Sequence, residues 1–230
     1  MNECSFSSLT PLESGDEGDA VSHLGALFPE ACEKHARILG AALDLFVEQG
    51  FRGTTIPAIA GRAGVAAGTI YLYFESKERL VNTLLGGLKG QLAARLLTDL
   101  AAAGDDVAAQ FTALWGVFAE FALRHPRAVA FLDLHHHGSY ITPEALAAWQ
   151  PGEAALEAHF ALGVRRGDYV DMTPAALRAV VVGTLIGAHK LSRGGHLEIT
   201  PALLDQLGAC ARRAIARPSP IPTREERSPS

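Results

Sequence analysis

The sequence predicts an all-α protein built from a small N-terminal three-helix unit and a larger helical bundle, about nine helices in total. Three observations carry that expectation. Ala and Leu crowd the chain while aromatic residues make up only 7%, and Ala and Leu lose little conformational freedom in a helix. Apolar residues recur three and four apart along most of residues 34–216, with no alternating run that reads as a strand pair. Finally, Thr-Pro recurs at Thr142-Pro143, Thr173-Pro174 and Thr200-Pro201. Each pair supplies a capping hydroxyl followed by a proline in the first turn, where its missing N–H costs least.

Residues 1–33 are rich in Ser, Gly and acids, and the sequence predicts a disordered acidic tail there. A first helix is expected over Lys34–Gln49, with Ile38, Ala42, Leu45 and Phe46 on one face and Gly50 as its stop. Thr55 caps a second helix to Ala63, with Pro57 in its first turn and Gly64 ending it. A third is expected over Ala67–Phe74. Ser76 caps a long fourth towards Ala102, on which Leu80, Val81, Leu84, Leu85, Leu88, Leu92 and Leu96 share a face. Asp105–Arg124 is the fifth, and His125-Pro126 breaks the chain before a short sixth through Phe131 and Leu134. The seventh opens at Thr142-Pro143, is interrupted near Pro151 and resumes to Arg166. The last two are expected over Thr173–Ser192 and Thr200–Ala216. Residues 217–230 hold four prolines among polar residues and are expected to be disordered.

Composition narrows the class of protein. Of 230 residues, 48% are hydrophobic and 20% charged, as in ordinary globular chains. The formal charge of −5 is misleading, because residues 1–33 carry seven acids and no Lys or Arg, leaving +2 for the remainder. Residues 34–80 alone are also +2, enough for a nucleic-acid surface if the cations converge. Three widely spaced cysteines, Cys4, Cys32 and Cys210, give no disulfide or metal spacing and point to a reduced compartment. No basic-then-apolar leader opens the chain, and Gly, His or charge interrupts the apolar stretches, so a cytoplasmic protein without a membrane span is expected.

The segment Ile56–Glu75, IPAIAGRAGVAAGTIYLYFE, carries the most information. Ala60, Gly64 and Ile70 have the spacing of a helix-turn-helix: a small residue for close approach, a glycine for the left-handed turn, and an apolar anchor on the second helix. With ILGAALDLFVEQGFRGTTIPAIAGRAGV and AAGTIYLYFESKERL, residues 34–81 resemble the DNA-binding domain of TetR-family regulators. The resemblance implies a reading head at 34–80, a ligand-binding and dimerisation domain at 81–216, and a homodimer on a palindromic operator of double-stranded DNA. It also implies phosphate contacts for Thr55, Tyr71 and Lys77, and a major-groove face comprising Gly68, Thr69, Leu72 and Tyr73. The sequence departs from the family pattern at Ala66 and Ala67, where Ser or Thr and a polar residue are frequent. Its reading helix therefore lacks Arg, Lys, Asn or Gln for bidentate base contacts. Base reading is left to Thr69, Tyr73, alanine contacts to thymine methyls and DNA shape, with Arg52 or Arg62 on the backbone.

The same resemblance implies that a small effector releases the operator, making the protein a ligand-responsive repressor. Pockets for such molecules are largely apolar with a few polar groups, which selects Trp115, Phe118, Phe121, Phe131, His135, Tyr140, Trp149, Phe160 and His189. His135 and His189 are the polar anchors, and a neutral or hydrophobic effector is expected. The alternative is a DNA binder controlled by a metal or a partner protein. The three neighbours His135, His136 and His137 point about 100° apart on a helix and cannot all bind one ion, so a metal would need a pair at helical spacing or one of them with a distant partner such as His159 or His189. No cofactor is expected, and no nucleophile elbow, phosphate loop or zinc-protease motif points to an enzyme. Close helix approach in a dimer is expected at Ala179, Val182, Gly183, Ile186 and Gly187, together with Leu204, Leu207, Gly208 and Ala211.

Overall fold

The computed structural model describes Phe28, residues 33–135 and residues 138–218. Among them run ten helices: α1 (Glu33–Gly53), α2 (Ile56–Ala63), α3 (Ala67–Tyr73), α4 (Lys77–Ala103), α5 (Val107–Arg124), α6 (Pro126–His135), α7 (Pro143–Ala147), α8 (Gln150–Arg166), α9 (Pro174–Arg193) and α10 (Pro201–Ile215). The fold is all-α, with a helix-turn-helix followed by a helical body. The expected tails fall outside the described residues apart from Phe28, Glu33, Arg217 and Pro218, and His136 and His137 lie outside them too. The segment expected from Thr142 to Arg166 is two helices. Its break falls at Ala148-Trp149, because Pro151 sits in the first turn of α8, where proline is tolerated.

Helix starts follow the local chemistry. The hydroxyls of Thr55, Ser76, Thr142, Thr173 and Thr200 accept hydrogen bonds from the backbone N–H of Ala58, Arg79, Ala145, Ala176 and Leu203 respectively. Each such cap contributes about 1 kcal/mol. Gly50, at φ 68° and ψ 175°, breaks the helical path of α1 before a final turn to Gly53.

Two hydrophobic cores share α4. The first packs Ile38, Leu45 and Phe46 of α1 against Ile59 of α2, Ile70 of α3 and Leu80–Leu88 of α4, and it takes in Phe131 of α6 and Ala145 of α7. The second joins Leu96 of α4 to Phe111 and Trp115 of α5, Leu156 and Phe160 of α8, Val181 of α9 and Leu204 of α10. A helix of 27 residues is about 40 Å long, so α4 reaches from the reading head deep into the body.

α9 and α10 present an outer face that differs from the expected one. Ala179, Gly183, Ile186 and Gly187 of α9 are exposed as anticipated, alongside Val180 and Leu191, while Val182 is half-buried. On α10 the expected face is turned inward: Leu204, Gly208 and Ala211 are buried, Leu207 is half-buried, and a Cβ on Gly208 would fall 2.5 Å from Trp115 Nε1. The Trp115 N–H donates to Leu204 O at 3.1 Å, which fixes that register. The outer side of α10 is instead Ala202, Gln206, Ala209, Cys210 and Arg213. α9 is also the one described helix long and apolar enough to cross a membrane, with a mean hydropathy of 1.2. Its exposed apolar residues lie on the side left unpacked by the rest of the described chain.

Within the second core, His159 is buried between α5 and the α8–α9 connection. Its Nδ1–H donates to Gln110 Oε1 at 2.8 Å, and the Tyr169 hydroxyl donates to its Nε2 at 2.9 Å. Burial holds its pKa at about 4, against an ordinary 6.5. As pH falls from 6.5 towards 4, the unfolded chain takes up a proton that the folded chain refuses. This group therefore disfavours the fold progressively over that window, by a total of about 3 kcal/mol. Urea unfolding at pH 7 and pH 4.5 is expected to show a smaller acid-induced loss in His159→Gln than in wild type. Equal losses would assign the titration elsewhere.

Candidate nucleic-acid interface

The α2–turn–α3 unit is held from beneath by buried side chains. Ile59, Ala60 and Ala63 of α2 meet Ile70 of α3, and Phe74 closes the far end; all five are buried. Gly64, in the left-handed region at φ 64° and ψ 38°, ends α2, and the Val65 N–H donates to Ala60 O at 3.0 Å. These interactions fix α3 against α2 and aim its other side at solvent. There Tyr71 is 56% exposed, Leu72 83% and Tyr73 41%, with Ala66 and Gly68 exposed and Thr69 half-exposed. A row of large apolar and aromatic groups on a helix anchored from behind is a surface built for a partner.

Thr55 is exposed, and its hydroxyl already caps α2. Tyr73 lies flat against His35 of α1, ring centroids 5.6 Å apart and planes 8° from parallel. Lys77, at the start of α4, turns its side chain towards the junction of α1 and α2. Its ammonium donates to Phe51 O at 2.7 Å and Thr54 O at 2.8 Å, and lies 4.2 Å from the centroid of the Phe51 ring. Its geometry ties the end of α1 and the start of α2 to α4. Arg62, expected on the DNA backbone, forms paired hydrogen bonds to Glu48 at 3.0 and 3.3 Å. Hydrogen bonding from Arg62 and then Arg127 holds the Glu48 carboxyl below its ordinary pKa.

Residues distant in sequence tie α1 and α4 to α6 and the 138–142 loop. Arg127, in the first turn of α6, pairs with both Asp44 and Glu48 of α1. Asn82 of α4 donates to Tyr140 O at 2.8 Å and accepts from the Thr142 N–H at 2.7 Å. Tyr140 stacks on Phe51, centroids 3.7 Å apart, and its hydroxyl donates to His135 Nδ1. His135 in turn directs Nε2–H to Phe46 O at 3.3 Å.

The nine residues selected for an effector site do not converge on one space. Phe131, His135, Tyr140 and Phe121 pack in or against the first core, and Trp115, Phe160, Phe118 and Trp149 in or against the second. Periodicity tells which face is buried, but not which partner it meets. His189 lines an open groove of about 360 Å³ on the body, with Ala122, Leu123, Pro126, Ser192, Leu197, Glu198 and Ile199. His189 Nε2 is buried there without a hydrogen-bond partner, and burial lowers the ring's pKa. A second, wider groove of about 690 Å³ is lined by Asp105, Asp106, Asp168 and Arg166 with Val107 and Ala108. Among the described residues, no three His, Cys, Asp or Glu side chains are grouped to hold a metal ion.

A helix-turn-helix with an outward-facing second helix, joined by one long helix to a separate helical body, defines a DNA-binding transcriptional regulator. A model of the bacterial regulatory proteins of the tetR family matches residues 38–84, and a tetracyclin repressor-like C-terminal domain matches residues 89–217. The chain belongs to the tetR family. It is 39% identical over 67 residues to the fatty acid metabolism regulator protein of Bacillus subtilis, covering 29% of this chain and 34% of that one. The chain spans little more than a third of the length of the curated relatives it matches first. A TetR-family transcription regulator from Marinobacter aquaeolei superimposes with a TM-score of 0.70 at 22% identity, over 80% of this chain and 96% of that one. The Bacillus subtilis regulator FadR, solved in complex with stearoyl-CoA, does so with a TM-score of 0.63 at 20% identity, over 78% and 98%. These solved structures share the fold.

Proposed function

We propose that this chain is a cytoplasmic, homodimeric repressor that reads a palindromic operator through α3 and leaves it when a small, largely apolar molecule enters the body. Residues 34–80 are its reading head and 81–216 its effector and dimer domain, with α9 and α10 as the pairing helices. The observation that carries the reading is the outward face of α3, where Tyr71, Leu72 and Tyr73 stand exposed on a helix anchored by buried Ile70 and Phe74. Thr55 and Tyr71 contact phosphate, while Gly68, Thr69, Leu72 and Tyr73 face the bases. Lys77 acts by holding the start of α2 in place.

For the effector, an unpaired buried nitrogen at His189, together with Ser192 and Glu198, supplies polar anchors in a hollow otherwise lined by Ala122, Leu123, Pro126, Leu197 and Ile199. The hollow borders Pro126, next to the Arg127 that grips the head. An occupant that shifts α6 would bind the two states unequally, as release requires. The names of the relatives make fatty acids and their coenzyme A thioesters the first compounds to test. The experiment selects duplexes from randomised DNA with the full chain, then measures affinity by fluorescence anisotropy with and without each compound. A palindromic consensus is expected, with an affinity that falls at least tenfold with the right acyl compound and not in His189→Leu. A folded protein that selects no sequence would overturn the proposed operator reading. Compound-insensitive binding across an apolar library would overturn the effector.

A further inference from the structure

We infer that the operator is recognised chiefly through thymine methyl groups, and that Leu72 is the residue that seats them. This rests on α3 being the helix that enters the major groove. Leu72, at 83%, is the most exposed large hydrophobic side chain among the described residues. It stands two positions from both Ile70 and Phe74, which are buried, so it points away from the core that they anchor. One helical turn back on its own face lies Gly68, exposed, where an added Cβ would meet nothing within 4 Å. Leu72 is thus a knob beside a notch.

The rest of the face is equally poor in hydrogen-bonding reach. Ala66 and Gly68 are exposed and Ala67 half-exposed, Thr69 offers one hydroxyl, and Tyr73 is stacked on His35. None of these side chains presents an amide or guanidinium fork to a base edge. Leucine discriminates between bases only by apolar contact. On the major-groove edges of the four base pairs, the one apolar group is the C5-methyl of thymine. A cytosine at the same place presents only C5–H where the methyl would sit, so the apolar contact is lost. Chemistry therefore matches the Leu72–Gly68 surface to a thymine in each half-site.

Deoxyuridine tests this directly, because it pairs with adenine as thymine does and lacks only the methyl. The full chain is titrated with its selected duplex, and with the same duplex carrying deoxyuridine for thymidine throughout both half-sites. Wild type is expected to lose about tenfold in affinity, the worth of one buried methyl in each half-site. Leu72→Ala, whose exposed position leaves the fold intact by circular dichroism, is expected to bind the thymine duplex more weakly and to tell the two duplexes apart by less than about twofold. Wild-type affinities that agree within about twofold for the two duplexes would overturn methyl reading while leaving α3 as the DNA helix. So would an unchanged methyl preference in Leu72→Ala. Failure of the folded protein to select any sequence would instead remove the operator reading on which the inference rests.

Discussion

Gly187→Lys is expected to leave the protomer as stable as wild type, or slightly more so, and yet to abolish dimerisation and weaken operator binding by about a hundredfold or more. Gly187 lies inside α9, where glycine costs about 1 kcal/mol against an ordinary helix former. It is exposed, and an added Cβ would touch nothing in its own chain. Gly183, one turn earlier, has the same freedom. Two glycines on one helix face, flanked by exposed Val180, Ile186 and Leu191, make a surface that a second helix can approach closely. A two-fold pairing would bring the same patches together. A lysine there would bury charge and bulk in the contact while leaving the protomer untouched. Light scattering at micromolar concentration, thermal melting and anisotropy on the selected duplex check the three parts. A dimeric mass with wild-type operator affinity would show that the copies pair elsewhere.

Phe131→Ala is expected to cost about 3–5 kcal/mol of stability, among the largest effects of any single substitution. Phe131 is fully buried, and although it sits on α6 of the body it packs in the core of the reading head. Its ring lies 6.1 Å from Phe46 of α1 and 4.7 Å from His135. Deleting it opens a cavity between the two parts of the chain, so DNA binding and body structure are expected to fail together on heating or in urea. Urea unfolding, followed by circular dichroism and by anisotropy on bound duplex, measures both. A loss below about 1 kcal/mol, or a head that melts separately from the body, would show that α6 does not hold the head.

The reading head was legible because its determinants are local. A threonine capping three residues ahead, a glycine turn after α2 and apolar residues one helical turn apart act over a few positions, and Thr55, Gly64 and Ile70 take up those roles. Lys77 shows the converse. Its acceptors on Phe51 and Thr54 lie 26 and 23 residues away, and only the packing of α4 against α1 brings them within reach. The nine effector candidates share one trait along the chain, being aromatic or histidine residues on helical faces. That pattern marks burial, and burial in two separate cores looks the same along the chain as burial around one cavity.

The sequence by itself determined the all-α class, nearly every helix start, the helix-turn-helix and the bare, uncharged face of α3. Each follows from backbone chemistry or side-chain type within one or two helical turns. Tertiary structure alone decided which surface of α10 is interior, where Gly208 lies against Trp115. It also decided that Glu48 joins Arg62, 14 residues along the chain, to Arg127, 79 residues along it. Its packing left His189 buried without a hydrogen-bond partner beside a hollow. These features depend on the angle and register at which whole helices cross, which many weak contacts set together and no short stretch of sequence encodes.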